Sequence, residues 1–271
     1  MRFLHVHRVD RSNVGDIYCA PHQFFDFGEP DVVDILDLDG DLSNYDAILL
    51  GGGGLGARFF QKPLDRLARL ASTYEMPVLV WGAGVDVAKH RNGTIIRPNQ
   101  QIDLFGSYFD PFELRGVRAF KDPMPNGYEW VPCVSCMSEE LETLRRSKPN
   151  KRVGYYLHKS IRGNVEIPKD ASRESNRGSN LGQKLQFLAD HEFIITNTYH
   201  GTYWATLLGR KVICVPFKSG LFSFKHRPTY ASDWTITDEL LETAVAYPEA
   251  LEECRNVNLE FYSRLKKRFG R

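Results

Sequence analysis

Short apolar runs that end in glycine-rich turns and are followed by helical patterns recur along this chain, and that alternation constrains the fold more than any other feature. Parallel strands need crossover segments between them, so repeated β–α alternation builds a parallel sheet wrapped by helices. Residues 2–9 (RFLHVHRV) read as the first strand. After it, Ser12 or Asn13 is placed to cap a helix carrying Ile17, Ala20 and Phe24 on one face. Further strands are expected at 32–38 (VVDILDL), at 47–50 running into Gly51–Gly54, and at 78–81 running into Gly82–Gly84. Between the last two, Leu64, Leu67, Ala68 and Ala71 fall at helical spacing within residues 63–74.

A polar stretch with a proline, RRSKPN at 145–150, separates the helical EELETL from a new strand, KRVGYYLH. With 271 residues, the chain divides there into segments 1–148 and 149–271. The clearest part of the second segment is 193–217 (FIITNTYHGTYWATLLGRKVICVPF), a strand, a turn, a short helix and another strand, with Gly209 at the position after the helix C-cap. Residues 161–180 are polar and without period and read as a long mobile loop. At the end, Pro248 opens a segment in which Leu251, Cys254, Phe261, Tyr262, Leu265 and Phe269 make one apolar stripe. That stripe predicts a long terminal helix packed across the body.

Charge narrows the partners. Thirty-five Lys and Arg against 34 Asp and Glu give a net +1, so no global field would hold the chain to nucleic acid or a membrane. The halves differ: residues 1–150 carry 16 basic and 21 acidic side chains, the remainder 19 and 13. No stretch approaches the ~20 apolar residues of a membrane span, and the first ten residues lack a signal-type apolar core, so a cytoplasmic chain is expected. Cys19, Cys133, Cys136, Cys214 and Cys254 are odd in number and mostly embedded in apolar segments, which predicts reduced, buried thiols. No metal is expected: Cys133 and Cys136 have no second ligand pair, and His5 and His7, on one face of the first strand, have no evident third ligand. Asp31, Asp34, Asp37, Asp39 and Asp41 read as a solvated edge.

In open parallel sheets, ligands bind beyond the carboxyl ends of the strands. Four loops occupy such positions: Asn13-Val-Gly15-Asp16, Gly51–Gly54 with Gly52 and Gly53 at its centre, Gly82–Gly84, and Thr196-Asn197-Thr198-Tyr199-His200-Gly201. None matches GxGxxG or GxxxxGK[ST], so dinucleotide and P-loop nucleotide binding lose support. His200 stands where a strand meets a helix, beside amides that suit an anion. Lys218, Lys225, His226 and Arg227 follow the next strand. Strand alternation lets at most one of Arg115 and Arg118 reach a site unless a bulge intervenes at Gly116.

The ordered set of NxGD (Asn13, Gly15, Asp16), GGGG (51–54), GAG (82–84), GVR (116–118) and strand–YHG–helix–Gly–strand ending in VPF resembles the polysaccharide pyruvyl transferase family. The resemblance implies an α/β protein of two Rossmann-like domains facing across a cleft in a GT-B-like arrangement. It also implies a reaction in which phosphoenolpyruvate, a co-substrate with no further cofactor, gives its three-carbon unit to two hydroxyls of a glycan, forming a pyruvate ketal. His200 and Arg118 match the family's histidine and arginine, as general acid or phosphate ligand and as an anion-binding cation. Asn13, Gly15, Asp16, Gly52, Gly53, Asn197, Thr198, Tyr199, Lys218 and Lys225 are the expected substrate-binding positions. The acceptor would be a surface polysaccharide or its lipid-linked precursor, reached by peripheral association. Two departures stand out: family members often carry arginine where this chain has Thr198, and many carry aspartate where it has Pro132-Cys133. The alternatives are a GT-B glycosyltransferase using a nucleotide sugar, for which Asp233 is the candidate ribose ligand, and a catalytically silent glycan-binding relative.

Overall fold

The computed structural model describes residues 2–86, 107–160 and 167–269. Strands β1 (Phe3–His7), β2 (Asp31–Asp34), β3 (Ala47–Gly51), β5 (Val78–Ala83), β7 (Leu114–Val117) and β8 (Tyr128–Trp130) form one six-stranded sheet, in the order β2-β1-β3-β5-β7-β8. Every pairing in it is parallel. The central strands β3 and β5 are buried along their whole length, as expected for a sheet covered on both faces. Beside the sheet, β4 (Gly56–Ala57) and β6 (Val85–Asp86) make a small parallel pair. The helices of this part are α1 (Val14–Ile17), α2 (Gln61–Thr73), which buries Leu64, Leu67 and Ala71 as its spacing predicts, and α3 (Glu139–Arg145).

A second parallel sheet follows, from β9 (Lys151–Leu157), β10 (Ser172–Ser175), β11 (His191–Thr196), β12 (Lys211–Cys214) and β13 (Thr229–Tyr230), in the order β10-β9-β11-β12-β13. Its helices are α4 (Leu181–Ala189), α5 (Tyr199–Leu207), α6 (Asp238–Glu242) and α7 (Ala250–Phe269). Gly209 has φ +69°, the left-handed value that ends α5. Both sheets share one winding: the first strand lies inside, the second at the edge, and the third on the first strand's other side. In each, connections leave the sheet in opposite directions from adjacent strands, β1 and β3 or β9 and β11, and that crevice is where open α/β sheets receive ligands.

Helix α7 crosses from one core to the other. Leu251 and Cys254 pack with Trp204 and Leu207 beneath the second sheet, whereas Phe261 and Leu265 pack with Leu79 and Trp81 on the first. Buried Asn258 marks the crossing; its Oδ1 accepts a 2.7 Å hydrogen bond from Trp81 Nε1 and its Nδ2 donates to the Cys254 carbonyl. The five cysteines are unpaired and buried.

Three expectations need correction. The helix after β1 is a single turn, because Pro21 biases Ala20 to extended backbone and opens a separate 3-10 turn at Pro21–Gln23. Strand β2 stops at Asp34, whose Oδ1 accepts from Leu36 N and turns the chain, although Ile35 and Leu38 are still buried. Within the expected loop, 161–166 lie outside the described residues, but Ser172–Ser175 form edge strand β10 against β9. Its side chains have no apolar period; it is held through its backbone and by Glu174, which pairs with the buried Lys184 at 2.9 Å.

Candidate functional site

Residues that follow the carboxyl ends of strands in both sheets line one cleft of about 480 Å³, within the usual range for small-molecule sites. The first sheet contributes Arg8, Asp10, Asn13 and Asp16 after β1, Gly54 after β3, Gly84–Asp86 near β5, and Arg118 after β7. Facing them are His158 and Lys159 after β9, Asn197–His200 after β11, and Phe217, Lys218, Gly220, Leu221 and Ser223 beyond β12. Hydrogen bonds tie the two sides together. Lys159 Nζ donates to Asp10 (2.5 Å) and Ser12 (2.7 Å), Val14 N donates to the Asn176 carbonyl, and Asn176 Nδ2 donates to Asn13 Oδ1. At the other end, Asp86 Oδ1 accepts from Ser219 N and Oγ.

His200 occupies the first turn of α5 and is 7% exposed as a residue. Gly15 explains how it fits: a Cβ at that position would lie 2.0 Å from His200 Nδ1. The ring is further bounded by Cys133 Sγ, 3.5 Å from Nε2, and by the rings of Trp204 and Tyr199 at 4.9 and 5.2 Å. Burial, followed by the charge of Arg118, holds its pKa well below the ordinary histidine value, so at neutral pH it is a neutral imidazole.

Arg118 lies with its guanidinium carbon 3.5 Å from the centroid of Tyr199, which itself stacks on Phe224. Gly84 permits this approach, since a Cβ there would meet Arg118 Nε at 2.4 Å. Among the described residues no carboxylate pairs with Arg118, and its Nη1 is buried without a hydrogen-bond partner. A buried cationic donor left open in this way is costly unless something anionic meets it. The alternation argument holds here: Arg115 turns away to the Asp110 and Phe112 carbonyls and a 3.6 Å ion pair with Asp110.

The remaining expected positions separate into those facing the cleft and those shaping it. Asn13 caps α1, accepting from Gly15 N and donating to Asp16 at 2.7 Å. Asn197 Oδ1 accepts from His158 N. The Thr198 hydroxyl caps α5 by accepting from Gly201 N at 2.8 Å, a task an arginine side chain does not perform. Lys218 lines the cleft without a carboxylate partner among the described residues. Gly52 and Gly53 do not line it. A Cβ at Gly52 would lie 2.1 Å from the Cys19 carbonyl, and Gly53 has φ +76°, so both serve close packing and the turn. Lys225 is drawn behind Arg118 into a pair with Glu253, over the Trp130 ring at 4.6 Å, and is not among the cleft residues. Asp233 is exposed, caps its own turn through Thr235 N, and also lies outside the cleft lining.

Arg8, Asp86, His158 and Lys159 were not expected at the site. The strand-end rule that selected Asn13 and His200 applies equally to Arg8, just past β1, and to His158 and Lys159, just past β9. Arg8 and Lys159 are occupied, by Asp34 and Asp10. Burial and the neighbouring Lys218 and Lys159 lower His158 to about 4. Among the described residues no cluster of His, Cys, Asp and Glu suits a metal ion, and no helix is long and apolar enough to cross a membrane.

No family model and no curated protein matches the chain. Among solved structures it is similar to a functionally uncharacterized protein of Klebsiella pneumoniae, at 16% identity and TM-score 0.47 over 79% of this chain and 82% of that one. It is also similar to KpsC of Thermosulfurimonas dismutans, a beta Kdo 2,4 transferase, at 11% identity and TM-score 0.27 over 86% and 88%.

Proposed function

We propose that the chain is a transferase that moves the pyruvyl group of phosphoenolpyruvate onto two hydroxyls of a sugar, forming a ketal and releasing phosphate. The observation that carries this reading is the open guanidinium of Arg118 in the cleft, beside the amino end of α5 and His200. A helix amino end and an arginine fork both suit a carboxylate or phosphate, and phosphoenolpyruvate has one of each. Lys218, without a carboxylate partner among the described residues, adds a second cation from the second sheet's side of the cleft. In this mechanism Arg118 grips the donor and offsets the charge that gathers on the departing phosphate. Neutral His200 donates its one ring N–H to the same anion, fixed in orientation by Gly15 and Cys133. The cleft has room beside the donor for a sugar ring, against Phe59 and Phe60 on one rim and Phe217 on the other.

The test incubates purified protein with phosphoenolpyruvate and candidate glycans, following phosphate release and the mass of the sugar. The expected result is stoichiometric release with a mass gain equal to a ketal-linked pyruvyl group. Sugar transfer from a nucleotide donor without phosphoenolpyruvate would overturn the reading.

A further inference from the structure

Ketal formation from an enol phosphate requires a proton on the methylene carbon before a hydroxyl can attack, so the site needs an acid within reach of the donor. His200 is poorly suited, because burial and Arg118 keep it unprotonated. Among the described residues, three carboxyl groups line the cleft: Asp10, Asp16 and Asp86. Asp10 is committed to Lys159 and Ser12; burial works to raise it, but those hydrogen bonds and the lysine charge hold it at about 2. Asp86 receives Ser219 N and Oγ on one oxygen. Asp16 is different. Its Oδ2 accepts from Asn13 at 2.7 Å, while no hydrogen bond reaches Oδ1 among the described residues. It feels the charge of Arg118 and lines the same cleft, with no ion pair between the two.

We infer that Asp16 is the acid that protonates the enol carbon, with Asn13 holding the carboxyl and Arg118 holding the donor anion beside it. The inference rests on the phosphoenolpyruvate reading above. The step balances as follows. The Asp16 O–H bond breaks and a C–H bond forms, turning the methylene into a methyl group and leaving an oxocarbenium-like carbon beside an Asp16 carboxylate. A sugar hydroxyl attacks that carbon and its proton returns to Asp16. The second hydroxyl then forms the second C–O bond, the bond to the phosphate oxygen breaks, and the last proton leaves on phosphate. Burial raises the Asp16 carboxyl, as does Asp10, against the pull of Arg118, Asn13 and Lys159. His200, packed on neighbouring Gly15, adds no charge. In its protonated form the carboxyl also avoids repelling a multiply charged donor.

Asp16→Asn keeps an acceptor for Asn13 and removes the acid. Calorimetric titration of phosphoenolpyruvate should give a Kd within about threefold of wild type, while kcat falls by about 100-fold or more. In the wild type, kcat should fall on the alkaline side of its pH profile, and in D2O the new methyl group should carry solvent deuterium. Asp16→Asn with kcat within about tenfold of wild type, or a wild-type kcat flat between about pH 5 and pH 9, overturns the assignment. The second measurement stands even if the variant does not fold. A wild type that neither binds phosphoenolpyruvate nor releases phosphate fails earlier and overturns the pyruvyl-transfer reading together with this one.

Discussion

Gly15→Ala is the substitution whose consequence the geometry states most directly. The added Cβ would lie 2.0 Å from Nδ1, 2.6 Å from Cε1 and 2.7 Å from Cγ of His200. Ordinary carbon contacts are about 3.5–4.0 Å, so the ring would have to retreat by more than 1 Å, roughly, in a close-packed interior. Away from Gly15 it meets Cys133, Trp204 and Tyr199, so the ring can yield only toward the cleft, out of its position at the site. Moving α1 away instead strains the bonds from Val14 N to Asn176 and from Asn176 Nδ2 to Asn13, which join the two sheets. Overpacking costs about 1–3 kcal/mol, and a site with a rigid ring on one side and an interlobe seam on the other belongs near 3. For a chain of this size that lowers Tm by roughly 6–12 °C. Differential scanning fluorimetry of the variant beside Gly54→Ala supplies the control, because a Cβ at Gly54 meets nothing within 4 Å. Gly54→Ala should melt within about 2 °C of wild type. If Gly15→Ala melts with it, the packing argument is refuted.

Arg118→Met should weaken phosphoenolpyruvate binding by about 10- to 100-fold, the worth of a charge-assisted contact, with little loss of Tm because the guanidinium has no ion pair among the described residues to lose and the methionine side chain can still pack on the Tyr199 ring; calorimetric titration reads the first and thermal melting the second. Lys218→Ala should cost about threefold to tenfold in the same titration, whereas Lys225→Ala, occupied by Glu253 outside the cleft, should leave the affinity unchanged. Acid should destabilise the first sheet. Burial, then His22 and His7, lowers His5 to about 3, and burial, then His22, lowers His7 to about 4. The unfolded chain binds these protons below about pH 6.5 and the folded chain does not. Stability present above that pH is therefore lost as pH falls, with an upper limit of about 3 kcal/mol for each group by pH 4. Urea unfolding midpoints measured from pH 7 to pH 4 should decline, and less steeply in His5→Gln.

The alternation of apolar runs and glycine turns was enough to place β1, β3, β5, β11 and β12 within a residue or two, because a buried parallel strand is written as a continuous apolar run. It also picked out His200 as a candidate, since ligands gather at strand carboxyl ends whatever the loop sequence, whereas Arg118 was singled out through the family resemblance of its GVR motif. The apolar stripe of α7 was equally legible, down to Leu251, Cys254, Phe261 and Leu265. Strand β10 was not, because its pairing is made by backbone groups that every residue type carries. Nor could local pattern say which cations stay open. Lys218 and Lys225 look alike in sequence, and only the distant Glu253 on α7 separates them. Gly15 illustrates the same division: a glycine beside a polar loop suggests a ligand approaching the backbone, while the fold brings His200, 185 positions along the chain, into the space its missing side chain leaves. Sequence determines which residues stand at the ends of strands, because periodicity and turn chemistry are local. Which of those residues remain free to meet a substrate is settled by long-range packing and ion pairing, which join residues that no local spacing connects.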